Sequence, residues 1–200
     1  MKKVCEKLQS AGFDSENFRL SISTTIDTCD RNIHIYHIDF EHISYDEKDN
    51  ENKISIGDAI CTYINAYDCL TNKENDLFFL ADSYELDLAT AVSPVIDEDG
   101  CLKDEYSGSD VLYIERFYIK PEYRGKGIGH LLFPLMINVI SKNAGVITII
   151  PAPSEENGDK KIDVNDERYK PTLKRMTSFI EQFNFKKINS EVWVKDNSLV

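Results

Sequence analysis

The 200 residues contain no Cys-x-x-Cys pair, no extended basic stretch and no apolar run approaching the length of about 18 residues that a membrane span requires. The five cysteines, Cys5, Cys29, Cys61, Cys69 and Cys101, are odd in number and dispersed, so neither a disulfide framework nor a zinc site is indicated, and reduced, partly buried thiols are expected. The N-terminus lacks a charged region followed by an apolar run, so a cytoplasmic protein without a membrane span is expected. A formal charge of −12 argues against nucleic acid as a direct partner. An acidic surface suits a cationic partner, but it is also the ordinary solution to solubility. The single tryptophan, Trp193, reads most simply as a core residue, and there is no internal repeat or low-complexity tract.

Against that background, the segment from Val111 to Ile140 stands out. Val111 to Ile119 is short, apolar and rich in Val, Ile, Tyr and Phe, which favours a buried strand ending at Pro121. Arg124-Gly125-Lys126-Gly127-Ile128-Gly129 follows, and Ile128, Leu131, Leu132, Leu135, Met136 and Val139 then recur at helical spacing. Strand, glycine loop and helix start in that order present unpaired amides and a positive dipole end to an anion. Arg116, Lys120, Arg124 and Lys126 form a basic island around it, and side chains at Gly127 or Gly129 are expected to occupy ligand space. Pro134 predicts a kink after the first turns of the helix. The loop is neither Gly-x-Gly-x-x-Gly nor a Walker loop, because it has three alternate glycines and no Lys-Ser/Thr pair. A glycine turn with no ligand is the alternative.

Arg124, Gly127 and Gly129 fit the pattern Arg/Gln-x-x-Gly-x-Gly/Ala, and with the flanking Ile-Glu-Arg-Phe-Tyr-Ile-Lys-Pro-Glu-Tyr and Ile-Gly-His-Leu-Leu the segment resembles the acyl-CoA loop of the GNAT superfamily of N-acetyltransferases. The resemblance implies one domain over residues 1–200: an α/β (α+β) fold with a mixed, mostly antiparallel sheet flanked by helices and with splayed fourth and fifth strands. Residues 1–19 would be an N-terminal extension and 111–140 the acyl-CoA signature. It implies acetyl-CoA as acyl donor and an amine as acceptor. Phe117 and Ile119, with Tyr118 between them, would hold the pantetheine, and the pyrophosphate would rest on Gly125, Lys126, Gly127, Ile128, Gly129 and His130, with Arg124 beside it. A monomer and a homodimer both remain open.

The rest of the chain is less specific. Residues 4–18 suggest a short helix, and Leu20, Ile22 and Ile26 an extended segment. Ile33 to Ile43 and Ile54 to Tyr67 read as an antiparallel hairpin around the polar loop SYDEKDNENK. Leu77 to Val95 reads as one helix capped by Asn75 or Asp76 and ending before Pro94, an insertion relative to the family order. Gly145 to Ile150 fits the fifth strand, and Ser154 to Arg168 a long loop, either a lid or binding loop or plain disorder. A last helix near Pro171, a left-handed cap at Asn184 and a hairpin of Phe185–Ile188 with Glu191–Val194 complete the chain.

An attacking amine must be neutral. A lysine-like amine of pKa about 10.4 is only about 0.04% neutral at pH 7, a penalty of roughly 4.6 kcal/mol, so for it a general base matters, whereas an α-amine of pKa about 7.7–8.0 loses only about 1–1.5 kcal/mol and a positioned water with a weak base would suffice. Glu115 is the candidate, since strand alternation places it on the face of Phe117 and Ile119 and the family often uses a carboxylate from this strand through water. An ion pair with Arg116 or another cation is the alternative. The family's tyrosine on the last helix falls on Ile180; Tyr123 and Tyr169 remain as proton donors. His34, His37 and His42 read as ordinary polar positions rather than a metal cluster, and His130 as a first-turn residue near phosphate. With no acid in the family's place, an acyl-CoA-binding regulatory or interaction domain without turnover is the alternative function.

Overall fold

Apolar positions recurring through residues 33–43, 54–64 and 110–119 build the centre of a seven-stranded sheet. The computed structural model describes residues 2–26, 31–66, 77–106, 110–155, 158 and 160–197. Cys29, Tyr67, Cys69 and the cap candidates Asn75 and Asp76 lie outside the described residues. The elements are α1 (Lys2–Ser10), β1 (Phe18–Ile26), β2 (Ile33–Tyr45), β3 (Glu51–Ile64), α2 (Leu77–Tyr84), α3 (Leu86–Val92), β4 (Asp110–Ile119), α4 (Ile128–Ile140), β5 (Ala144–Ile149), α5 (Tyr169–Glu181), β6 (Lys186–Lys187) and β7 (Trp193–Asp196). Strand order is β1-β2-β3-β4-β5-β7-β6, with β4 and β5 parallel and every other pair antiparallel. This is the mixed, mostly antiparallel sheet with flanking helices expected from the sequence.

Helices cover both faces. On one, Leu8 of α1, Leu132, Phe133 and Met136 of α4 and Ile180 of α5 pack with Phe40, Leu112 and Ile114; on the other, Leu77, Leu80, Leu88 and Val92 of α2 and α3 pack with Ile64, Val111, Tyr113 and Val146. Trp193 is buried in the first cluster. Cys61 is also buried there, and burial pushes its thiol pKa up. No described helix is long and apolar enough to cross a membrane.

Several expected boundaries move. The polar stretch 44–53 is strand at both ends, because Tyr45 pairs with Glu51 and the intervening turn is closed by Asp46, which accepts from the amides of Lys48 and Asn50. Backbone pairing extends the hairpin where side chains offer little burial. The N-terminal helix ends at Ser10, and β1 begins at Phe18, inside the segment expected to be helical. The expected single helix over 77–95 is two, broken at Glu85, whose extended φ of −159° ends one and starts the next. Through Pro134, α4 continues uninterrupted. Asn184 takes a φ of 68° after α5.

Candidate functional site

The site begins where β4 and β5 part. Their last pair is Ile114 with Ile149, whereas β4 runs on against β3 to the pair of Ile119 with Gly57. Glu115 to Ile119 therefore have β3 on one side and an opening on the other. Gly57 decides which groups look into that opening: a Cβ there would lie 2.0 Å from the Tyr118 carbonyl oxygen. Tyr118 thus turns its carbonyl toward β3, as Lys120 does its N–H, which donates to the Ile56 carbonyl at 2.9 Å. Successive residues of a strand direct their peptide groups to opposite edges, so those of Phe117 and Ile119 face the opening. The Ile119 carbonyl accepts from Arg124 Nε at 2.7 Å. Gly57 was missed in the sequence, although a glycine inside a strand is itself a signal of close backbone approach.

At the end of β4 a short turn, Pro121–Tyr123, leads into the glycines. Gly125 and Gly127 have φ of 74° and 87°, values that cost a residue with a Cβ. Among the described residues, no main-chain N–H from Gly125 to Gly129 donates to a main-chain carbonyl, and that of His130 reaches Gly127 at 3.0 Å. The amides at the start of α4 thus lack main-chain acceptors, an arrangement able to receive an anion. The expectation that side chains at Gly127 and Gly129 would fill ligand space is corrected. A Cβ on Gly127 would point at Lys7 and Val4 of α1, 3.6–3.8 Å away, and one on Gly129 at Phe179 and Phe117, 3.6–3.7 Å away. Conformation, not ligand clearance, requires glycine at 127. Lys126 Nζ lies 5.5 Å over the rings of Phe13 and Tyr123. The His130 ring turns toward the end of α5, with Nε2 3.2 Å from Gln182 Oε1 and its edge against Phe179.

The family model for the GNAT acetyltransferase family matches residues 44–153, more than half of the chain. The chain belongs to the GNAT family. No curated protein sequence matches it significantly. Membership implies an acyltransferase, and family members typically use acetyl-CoA. The matched region contains the opening, the glycine loop and α4, and it ends before the segment leading to α5.

Glu115 of this GNAT chain sits at an irregularity. Ile60 pairs with Arg116 and Cys61 with Ile114, so Glu115 is an extra residue, a β-bulge in β4. The bulge reverses the alternation: Leu112 and Ile114 face the α4 layer before it, and Phe117 and Ile119 face that layer after it. The expectation that Glu115 shares the face of Phe117 and Ile119 is therefore corrected. Glu115 shares the α2/α3 face with Tyr113 and accepts a hydrogen bond from Thr62 Oγ1. Burial raises its pKa above the ordinary glutamate value; Thr62 and His37 lower it, while Glu85 and Asp87 raise it further. Arg116 does not pair with Glu115. Its Nε and Nη2 meet Asp58 at 2.5 and 3.3 Å, and its Nη1 donates to the Gly158 carbonyl at 2.7 Å.

That last bond ties the segment after β5 onto the Glu115 face. Gly158 has φ of 77°, and a Cβ there would meet Arg116 Nη2 at 2.8 Å and Tyr118 Cδ2 at 2.9 Å. Lys161 pairs with Asp87 of α3 at 2.8 Å, and a β-bridge joins Ser154 to Lys161. The Tyr118 ring carries the guanidinium of Arg116 at 4.7 Å and that of Arg124 at 5.2 Å.

Ile180 is 3% exposed within the core, so this family position carries no proton donor. Tyr123 belongs to an aromatic cluster with Phe13, and Tyr169 opens α5. Of the histidines, His37 acts on Glu115, His34 stacks on Tyr63 and His42 is buried edge-on between Phe13 and Phe18, which lowers its pKa.

Proposed function

We propose that the chain transfers an acetyl group from acetyl-CoA to a cationic amine once that amine has lost its proton, with Glu115 as general base. The observation that carries this reading is the opening of β4 from β5, with unengaged amides at the start of α4 beyond one end and a carboxylate of raised pKa at the bulge where the opening begins. In this reading the amides from Gly125 to Gly129 hold the pyrophosphate beside His130, whose own N–H is already given to the Gly127 carbonyl, with Arg124 and Lys126 supplying positive charge. The edge groups of Phe117 and Ile119 hold the pantetheine, and Tyr118 between them positions Arg116 and Arg124 through its ring. Glu115, directly or through water, takes the proton as the amine nitrogen bonds to the acetyl carbon and the carbon–sulfur bond breaks. Glu85 and Asp87 favour a cation on this face. The leaving thiolate resembles a thiol of pKa near 8.5, so it departs at neutral pH with less need of an acid than an alkoxide would have. Tyr123 and Tyr169 are the candidates to supply its proton.

Ile180 in place of a tyrosine favours a second reading, an acyl-CoA-binding regulatory domain without turnover. One experiment separates the two. At about 100 times its dissociation constant acetyl-CoA adds roughly 2.7 kcal/mol, a melting shift of about 5–10 °C for a domain of this size. The expected result is that shift together with CoA-thiol release in the presence of an amine panel. A shift with no thiol release selects the regulatory reading, and the lack of any shift removes both.

A further inference from the structure

A cavity of about 400 Å³ lies at the other end of the molecule, where β1, β2, β3 and the start of β4 meet the C-terminal end of α4. It is remote from the glycine loop, since the 13 residues of α4 span about 20 Å at 1.5 Å each. It is also separate from Glu115, five residues along β4, or about 16 Å, and on the opposite face. Its volume lies within the range of small-molecule sites, roughly 300–1,000 Å³.

Its lining combines three chemistries. Asp110 is more than nine-tenths buried, and Tyr63 donates a hydrogen bond to its carboxylate, which fixes the orientation of the group. Tyr36 stands edge-on to Tyr63 at 6.3 Å, and His34 stacks on Tyr63 from 6.1 Å. A carboxylate among aromatic rings recognises an organic ammonium by charge-assisted hydrogen bonding and cation–π attraction. Ile22 and Val139 form an apolar wall although they are 37% and 51% exposed, apolar surface that a bound side chain would cover. Lys142, exposed at the rim, supplies a cation for an anionic group.

We propose that this cavity binds a small apolar α-amino acid as its zwitterion, with the ammonium at Asp110, the side chain against Ile22 and Val139 and the carboxylate at Lys142. Such a site does not rest on acyl transfer; it would be an effector site on the far side of the sheet from Glu115. Titration calorimetry of the full chain without acetyl-CoA tests it, with leucine, methionine and phenylalanine each set against its decarboxylated amine (isoamylamine, 3-methylthiopropylamine, phenethylamine) and its deaminated acid (4-methylpentanoate, 4-methylthiobutyrate, 3-phenylpropionate). At least one amino acid is expected to bind, about tenfold or more tighter than its amine or its acid counterpart. Asp110→Asn and the surface variant Lys142→Glu are each expected to weaken it by about tenfold or more, and saturating acetyl-CoA is expected not to displace it. Failure of all three amino acids to bind, an amine that binds as tightly as its amino acid, unchanged affinity in Lys142→Glu, or displacement by acetyl-CoA would overturn the proposal.

Discussion

The two faces of β4 beyond Ile114 are built differently. On the α4 side, Phe117 packs 5.0 Å from Phe133 and stacks at 6.1 Å on Phe179, so the strand end beside the glycine loop is held by aromatic burial. On the α2/α3 side, Glu115, Arg116 and Tyr118 are held by Thr62, Asp58, Gly158 and, through Lys161, Asp87. Burial is non-directional and makes a stiff platform, whereas half-exposed polar ties are weaker and adjustable. The contrast fits the proposed function, in which a donor side holds one fixed ligand and an acceptor side is shaped around Glu115 as the proposed base. The bulge at Glu115 makes the contrast possible, because it lets one strand show apolar residues to one layer and consecutive polar residues to the other.

Substitutions on the two faces test this contrast. Glu115→Gln should have the largest effect on rate: turnover should fall by about 10²–10⁴-fold with the acetyl-CoA melting shift retained, and undiminished turnover at pH 7 would remove Glu115 as base. Its stability effect should run the other way. Glu115 has a folded pKa above its unfolded value, so its contribution is complete below the ordinary glutamate range and is lost as pH rises through the folded pKa. The Gln variant should therefore melt higher than the parent at pH 8, with the gain shrinking toward pH 4. Equal melting at both pH values would mean that Glu115 is not desolvated.

On the opposite face, Phe133→Ala should cost about 3–5 kcal/mol by chemical denaturation, because Phe133 is fully buried among Phe117, Phe179 and Phe183. Gly127→Asp should erase the roughly 2.7 kcal/mol of acetyl-CoA stabilisation, through its positive φ and a like charge beside phosphate. Retained binding would locate the phosphate elsewhere. Lys161→Ala should be the mildest, at most about 1 kcal/mol, since its pair with Asp87 is exposed. A loss as large as that of Phe133→Ala would erase the distinction between the faces.

How legible each part was depends on how far apart its residues lie in the chain. The glycine loop could be read because strand, turn and helix start are consecutive, and Gly125 and Gly127 have the positive φ that such a loop demands. The hairpin of β2 and β3, the fifth strand and the left-handed cap at Asn184 were visible for the same reason. The split at Glu85 was not, because the apolar stripe runs in phase across residues 77–92 and conceals a single extended residue. The facing of Glu115 was misread because alternation holds only while register holds, and the register shifts opposite Ile60 and Cys61, more than fifty residues earlier. The partners of Arg116 could not be read for a similar reason, and the alternative of an ion pair with Glu115 falls away, since Asp58 and Gly158 lie 58 and 42 residues from Arg116.

The sequence by itself determined the glycine loop, the strand that feeds it and the helix that follows, because backbone dihedral preference and helix initiation act between neighbouring residues. Tertiary structure decided the rest of the site: which edge of β4 is open, which face carries Glu115, and what holds Arg116. Those depend on strand register and on contacts between distant segments, and the burial that raises the Glu115 pKa exists only once the sheet and both helical layers have closed around it.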